Sequence, residues 1–312
     1  MRVCFIGACG HHEQALRYLR TRKDVEICGF APGSIHENRT YSIAKDIPFY
    51  ENYAEMLESL KPDLAVVSPV FALTGRIIIE CANRGINVFS EKPVASSLEE
   101  LELVEKAVKN SGIKFSAMHY LRYEPAFYHG ARLVRNGEIG EVRMVTAQKS
   151  YKFATRPDWY YNRSLYGGTI PWVGIHAIDW IYHFTQKNFI SVSSQSYGNS
   201  PEMAGICQFK MEDDVLCSVN IDYYRPAAEE IHGDDRIRVV GTKGTLEVRD
   251  SKIYLANSEW TTVLNPTSAP ELLEEFIDGK VSITPDEIFY ITKVVIAARD
   301  SADTGMTIEI GD

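Results

Sequence analysis

The sequence is short of positive charge. Its 33 Lys and Arg residues face 42 Asp and Glu, a formal net charge of −9. No basic block interrupts that balance, so nucleic acid and an anionic membrane surface are excluded as main partners. A run of eighteen consecutive apolar residues is also lacking. Met1 leads directly into RVCFI, without the charged and long apolar regions of a secretory leader. The expectation is a cytoplasmic protein without a membrane span. Cysteine is sparse: Cys4, Cys9, Cys28, Cys81, Cys207 and Cys217 form no C-x-x-C pair and mostly stand in apolar runs. That is the pattern of reduced core thiols, not of a zinc site or a disulfide framework. Internal repeats, low-complexity segments and a flexible linker are absent as well. What is present is 312 residues, 45% hydrophobic and 24% charged, enough chain for about two packed domains.

In the first 120 residues short apolar runs at 3–6, 25–30, 64–67, 87–90 and 114–117 alternate with helical patterns. The clearest helix, 98–110, is opened by the capping box Ser97-Leu98-Glu99-Glu100 and closed by Gly112; another, 73–84, stops at Gly85. Strands that are continuously apolar and separated by helices predict a parallel sheet covered on both faces, a doubly wound α/β domain. Its first turn, Gly7-Ala8-Cys9-Gly10-His11-His12, stands where a dinucleotide fingerprint would, but only the first glycine of G-x-G-x-x-G is in place. A phosphate would have to meet a backbone shifted by one residue, with Gly10 following Cys9. No acidic residue ends the second strand, which runs on as Phe30-Ala31-Pro32-Gly33-Ser34. This tilts the reading from NAD toward NADP, with Ser34, His36 and Arg39 as candidates for a 2′-phosphate.

Beyond residue 120 the pattern changes. One helix, 125–136, is followed by strands at 203–210, 215–223, 237–241, 245–250 and 253–256. A last helix starts at Thr284-Pro285-Asp286-Glu287 and ends near Gly305. In 215–223 the apolar Val215, Cys217, Val219, Ile221 and Tyr223 alternate with Ser218, Asn220 and Asp222, which predicts a sheet with one buried face. The exception to this strand-rich half is the stretch GGTIPWVGIHAIDW, 167–180, whose second part opens a helix, 173–184, apolar on nearly every side. His176 and Asp179 share one face of it, with His183 a turn later. An imidazole and a carboxylate buried on one face suit acid/base work, and a hydrogen-bonded core histidine is the alternative. The chain divides into a dinucleotide-binding domain, 1–120, and an α+β domain, 121–312, with a large, mainly antiparallel open sheet.

Glu91-Lys92-Pro93 directly follows the strand 87–90, where open α/β sheets gather ligands. Taken with GG-x5-G-x-H-x-x-D (Gly167, Gly168, Gly174, His176, Asp179), HYLRYEPAF at 119–127, NGEIGEV at 136–142, the segment from Arg156 to Trp159 and VGTKGTLEV at 240–248, it resembles the glucose-fructose oxidoreductase/inositol dehydrogenase (Gfo/Idh/MocA) family over essentially the whole chain. The resemblance implies a Rossmann-like first domain and an NAD(P)-dependent oxidoreductase that acts on a secondary alcohol of a sugar or polyol. A nucleotide- or sugar-binding sensor without catalysis is the alternative. The resemblance places Lys92 and His176 at the substrate hydroxyl, with Asp179 orienting His176. Cofactor contacts are expected from Gly7, Cys9, Gly10, His11, His12, Ser34, Arg39, Ser68, Pro69, Glu91 and Lys92. Substrate contacts are expected from Tyr120, Arg122, Arg156, Trp159, Arg163, Trp172 and His176. No metal is expected. Many sugar-oxidising relatives carry an aspartate where this chain has Trp172, whose indole accepts no hydroxyl proton but stacks on a sugar ring. A homodimer or homotetramer through the second domain's sheet is also expected.

Overall fold

A computed structural model describes residues 1–37, 45–280 and 283–311. The chain forms two compact units. The first contains β1 (Arg2–Ile6), α1 (His12–Leu19), β2 (Glu26–Ala31), α2 (Tyr53–Leu60), β3 (Leu64–Val67), α3 (Thr74–Asn83), β4 (Asn87–Ser90), α4 (Leu98–Ser111) and β5 (Phe115–Ala117). The five strands are parallel in the order β2-β1-β3-β4-β5. β3 is buried at every position, as are the inner residues of β1 and β4. This explains why the strands read as unbroken apolar runs. The capping of α4 follows its sequence signature: the Glu100 amide donates to Ser97 Oγ at 3.2 Å, and Gly112 ends the helix in the left-handed conformation.

The first unit also takes in Asp158–Gly167 and Leu272–Thr292, so the contiguous division at residue 120 acquires two later segments. Aromatic packing holds them there. Gly167 packs against Phe71, where a Cβ would lie 2.3 Å from Cε1, Phe276 lies 5.5 Å from Phe89, and Phe289 stacks on Phe115 at 5.4 Å. Residues far along the chain thus complete an apolar surface that the first 118 leave uncovered.

The second unit is His119–Pro157, Gly168–Glu271 and the residues after Thr292. Along the chain come α5 (Pro125–Arg135), β6 (Val142–Tyr151), α6 (Arg163–Tyr166), α7 (Ile175–Thr185), β7 (Phe189–Tyr197), β8 (Ala204–Met211), β9 (Leu216–Asp222), β10 (Gly233–Gly241), β11 (Gly244–Arg249), β12 (Lys252–Asn257), β13 (Thr261–Leu264), α8 (Leu272–Ile277), α9 (Pro285–Thr304) and β14 (Ile308–Glu309); of these, α6, α8 and α9 up to Thr292 belong to the first unit. Nine strands form one sheet, β13-β12-β11-β10-β6-β9-β8-β7-β14, antiparallel except between β6 and β9. β9 alternates as its sequence predicts, with Cys217, Val219 and Ile221 buried and Leu216 and Asn220 exposed. α5 and α7 lie against one face, with Phe127 stacked on Trp180 at 4.1 Å. Gly174, the third motif glycine, makes that approach possible, since a Cβ there would lie 2.5 Å from Ile221 Cδ1. At α9 the reciprocal cap forms: the Glu287 amide donates to Thr284 Oγ1 at 3.2 Å and the Thr284 amide to Glu287 Oε2 at 2.9 Å. Among the described residues no helix is long and apolar enough to cross a membrane.

Candidate active site

In the first unit the loop Gly7–His12 sits where β1 and β3 diverge, since β1 is followed by β2 on one side and β3 continues on the other. This is the switch point at which open α/β sheets take ligands. Gly7 and Gly10 hold φ of +80° and +83°. A Cβ on Gly7 would strike Pro69 and Ser68 backbone at 2.5 Å, and one on Gly10 would meet Glu91 Oε2 at 2.3 Å. The loop therefore keeps the left-handed turn and close backbone approach of a dinucleotide cradle, although two of the three fingerprint positions are Cys9 and His12. Cys9 is tied down by its backbone: its amide donates to Ser68 O at 2.7 Å and its carbonyl accepts from Ser68 Oγ. The His12 imidazole is buried, and Nδ1 has no partner among the described residues. Burial lowers its pKa, so His12 offers the loop its amide, not a cation.

Glu91 organises the same loop from β4. Its carboxylate is fully buried and accepts from the His11 amide at 2.6 Å, contacts His11 Nδ1 at 3.0 and 3.1 Å, and accepts from the Lys92 amide at 3.1 Å. Lys92 Nζ lies 3.6 Å away, itself almost wholly buried. Burial alone would raise the Glu91 carboxyl, but the charges and hydrogen bonds of His11 and Lys92 outweigh it and hold it at about 2. Ser34 is half-buried and its hydroxyl accepts from the His36 amide at 3.2 Å. Arg39 lies outside the described residues. Trp159, expected at the substrate, is buried in the aromatic cluster, 4.2 Å from Tyr160, and Arg163 opens the short helix of that segment.

In the second unit His176 stands in the first turn of α7 and is buried. One turn on, Asp179 is engaged by the segment before α5. Its carboxylate takes Arg122 Nε at 2.9 and 2.8 Å and Nη2 at 2.7 Å, and His119 Nδ1 lies 3.2 Å from Oδ2. Asp179 is thus the counter-ion of Arg122, and the two form a buried ion pair. A forked guanidinium satisfies a buried carboxylate better than one imidazole nitrogen does. Burial would raise the Asp179 carboxyl; Arg122 and His119 hold it well below the usual range. His183, one turn further, is pushed down to about 3 by burial and by the Arg122 charge, so it is neutral at pH 7. Tyr120 and Trp172 are buried too, Trp172 within a π-helical turn over Ile170–Gly174. Arg156 lies 5.0 Å over the Tyr223 ring. Sequence reading missed the buried Lys149, which pairs with Asp235 and lies 5.1 Å over Trp180. Its polar type in a strand gave no signal of burial.

Residues 1–119 match the NAD-binding Rossmann-fold model of an oxidoreductase family, Gfo/Idh/MocA, and residues 129–247 match the family's C-terminal domain. The chain belongs to the Gfo/Idh/MocA family. It is 26% identical to the scyllo-inositol 2-dehydrogenase (NAD(+)) of Bacillus subtilis, over 67% of this chain and 63% of that protein. It is 25% identical to the glucose-6-phosphate 3-dehydrogenase of the same organism, over 64% and 58%. The chain thus spans under two thirds of the length of either relative. Among solved structures, a Thermotoga maritima protein provisionally assigned as an oxidoreductase shares 38% identity and a TM-score of 0.94, covering 99% of this chain and all of that one. Levoglucosan dehydrogenase with NADH and levoglucosan, at 14% identity and a TM-score of 0.83 over the whole of both chains, shares the fold.

Proposed function

We propose that the protein transfers a hydride between a secondary alcohol of a sugar or polyol and NAD or NADP. The observation that carries this reading is the Gly7–His12 loop, whose left-handed glycines leave the space a dinucleotide backbone needs. Relatives named as inositol and sugar-phosphate dehydrogenases point to the same substrate class. Because Glu91 already takes the His11 amide, the pyrophosphate is assigned to the next amides of α1, those of His12 and Glu13. The nicotinamide, when bound, supplies the hydride acceptor. Lys92 and His176 are the proton-handling residues: the imidazole takes the hydroxyl proton, and the buried Lys92 ammonium, held against Glu91, stabilises negative charge on the alcohol oxygen. Asp179 and Arg122 tie α7 to the His119–Tyr123 segment. Trp172 gives an aromatic wall in place of a second acid/base group.

Lys92→Met and His176→Ala should each lower turnover by roughly a hundredfold to ten-thousandfold, and the double variant by far less than the product, because residues acting on one proton are not additive. NADH affinity should change little in His176→Ala. Normal turnover by folded His176→Ala protein would sink the mechanism. A second reading, a ligand sensor without turnover, is favoured by Trp172 and by the engaged His11 amide; nucleotide binding without oxidation of any polyol would select it. We further propose a homodimer or homotetramer through the open face of the nine-stranded sheet, where Met144, Ile206 and Leu216 are exposed. A monomeric mass by light scattering at micromolar concentration would refute this.

A further inference from the structure

Helix α7 carries His176 in its first turn, and the turn before it, Ile170–Gly174, is π-helical and carries Trp172. Hydrogen bonds in a π turn span one residue more than in an α turn, so such turns are rare, and where they occur they often mark a functional site. The amides that open this one are fully accounted for. Thr169 and Ile170 both donate to Glu202 Oε1, at 2.7 and 3.2 Å, Pro171 has no N–H, and the Trp172 amide donates to Gly168 O at 3.2 Å. Thr169 Oγ1 adds a bond to the Glu202 carbonyl at 2.5 Å. Glu202 is only 4% exposed and Thr169 is fully buried, so these bonds are shielded from water. The loop that presents Glu202 joins β7 to β8 and is itself tight. The Met203 amide closes it on Tyr197 O at 2.8 Å, and Gly198 turns it at φ +93°. The turn also rests on the sheet, since a Cβ on Gly205 of β8 would come within 2.7 Å of Ile170 Cγ1. Sequence spacing hid Glu202, which stands 33 residues beyond Thr169.

We propose that Glu202 is a positioning residue, which sets the winding of the π turn and with it the direction of Trp172 relative to His176. This deepens the reading of the chain as a sugar or polyol oxidoreductase and rests on it. Glu202 acts through the backbone. Two N–H groups on one carboxylate oxygen, at the end of a helix where the peptide dipoles leave partial positive charge, make a strong anchor. Released from it, the turn can drop its extra residue and rewind as α-helix, and one residue of an α-helix is about 100° of rotation. Trp172 would then swing out of its present direction. His176 would stay, because the Arg122–Asp179 pair holds α7 independently of Glu202. Loss of the anchor therefore acts on the aromatic wall and spares the proton-handling imidazole.

The chain has four tryptophans, Trp159, Trp172, Trp180 and Trp260, so fluorotryptophan labelling gives a fluorine NMR signal for each, that of Trp172 identified by Trp172→Phe. The full-length wild type, Glu202→Ala and Glu202→Gln are compared. Alanine removes the acceptor, whereas glutamine keeps an oxygen that can take both amides. The Trp172 signal should move in Glu202→Ala while those of Trp159 and Trp260 stay, and Glu202→Gln should restore it. With myo-inositol and D-glucose as probes and NAD or NADP as acceptor, Glu202→Ala should raise KM for the oxidised probe about tenfold, the equivalent of one lost ring contact. Its kcat should stay within about threefold of the wild type, and Glu202→Gln should recover the KM. An unmoved Trp172 signal in folded Glu202→Ala, with only a lower urea midpoint, would overturn the proposal, since Glu202 would then merely staple the β7–β8 loop to the helix. So would a fall in kcat with KM unchanged. Should Glu202→Ala fail to fold, Glu202→Asp, which draws the oxygens back by one methylene, is read in the same way. If the wild type oxidises neither probe, the result counts against the oxidoreductase reading, and the fluorine signals still decide whether Glu202 sets Trp172.

Discussion

Replacing Asp179 with asparagine separates two roles for one carboxylate. In the structure its oxygens receive three hydrogen bonds from Arg122, and both side chains are 2% exposed. Asparagine keeps the shape but offers one acceptor oxygen; its amide nitrogen would turn a donor toward the guanidinium, which has only donors. Arg122 would be left buried with no full counter-charge. Breaking a buried pair from one side costs about 3–5 kcal/mol, which for a unit of this size corresponds to a melting-point drop of roughly 6–20 °C. The assay is urea denaturation of the wild type, Asp179→Asn, Arg122→Met and the double variant Asp179→Leu/Arg122→Met, followed by tryptophan fluorescence because Trp180 stands next to Asp179 in α7. Each single change should show the full loss. The double change should recover much of it, since an apolar pair of similar volume leaves no buried charge, with a residue of cost because His119 also loses its partner. The folded fraction of Asp179→Asn should retain turnover within about tenfold of the wild type. A stability loss under about 1 kcal/mol, together with a turnover loss of a hundredfold or more, would mean that the carboxylate serves His176 after all.

Acid should destabilise the protein in two steps. The unfolded chain protonates His183 below about pH 6.5, whereas the folded imidazole stays neutral down to about 3. That contribution is therefore complete above pH 6.5 and lost as the pH falls, by about 2 kcal/mol at pH 5. His183→Leu should flatten the urea midpoint between pH 7 and 5, and an unchanged slope would show that the imidazole is not buried neutral. Glu91, held at about 2, contributes stability that is present above its ordinary value near 4.5 and lost as the pH falls through 2. Glu91→Gln should cost roughly 3 kcal/mol at pH 7 and nothing near pH 2; a pH-independent difference would refute the assignment. Gly10→Ala forces a Cβ to within 2.3 Å of Glu91 Oε2 at φ +83°, a strain of about 1–2 kcal/mol. NADH affinity should fall at least about tenfold, and an unaltered affinity would show that this loop is not the cradle.

Much of the first unit was legible because its strands are buried on both faces, so apolar runs at β3 and β4 mark the elements without reference to anything distant. The caps of α4 and α9 were equally plain, since a cap is made by residues three apart. β6 and β7 were not read. β6 carries Arg143, Gln148 and Lys149, and nothing in its sequence says that Lys149 is buried by pairing with Asp235 across the adjacent strand β10. The candidate site divides the same way. Glu91, Lys92 and the Gly7–His12 loop stood out as motif residues at strand ends. Helical spacing put Asp179 on the His176 face, but spacing within one helix cannot say what stands opposite.

Local sequence determined the first unit's strands, the helix caps and the alternation of β9, because those depend on backbone propensities and burial periods that act over a few residues. Tertiary structure decided the pairings. Arg122 reaches Asp179 across 57 residues, His11 reaches Glu91 across 80 and Glu37 reaches Val70 across 33. In each case a buried charge settles on whichever complementary group the packed chain brings within hydrogen-bond distance, because leaving it unpaired away from water costs more than any local preference supplies.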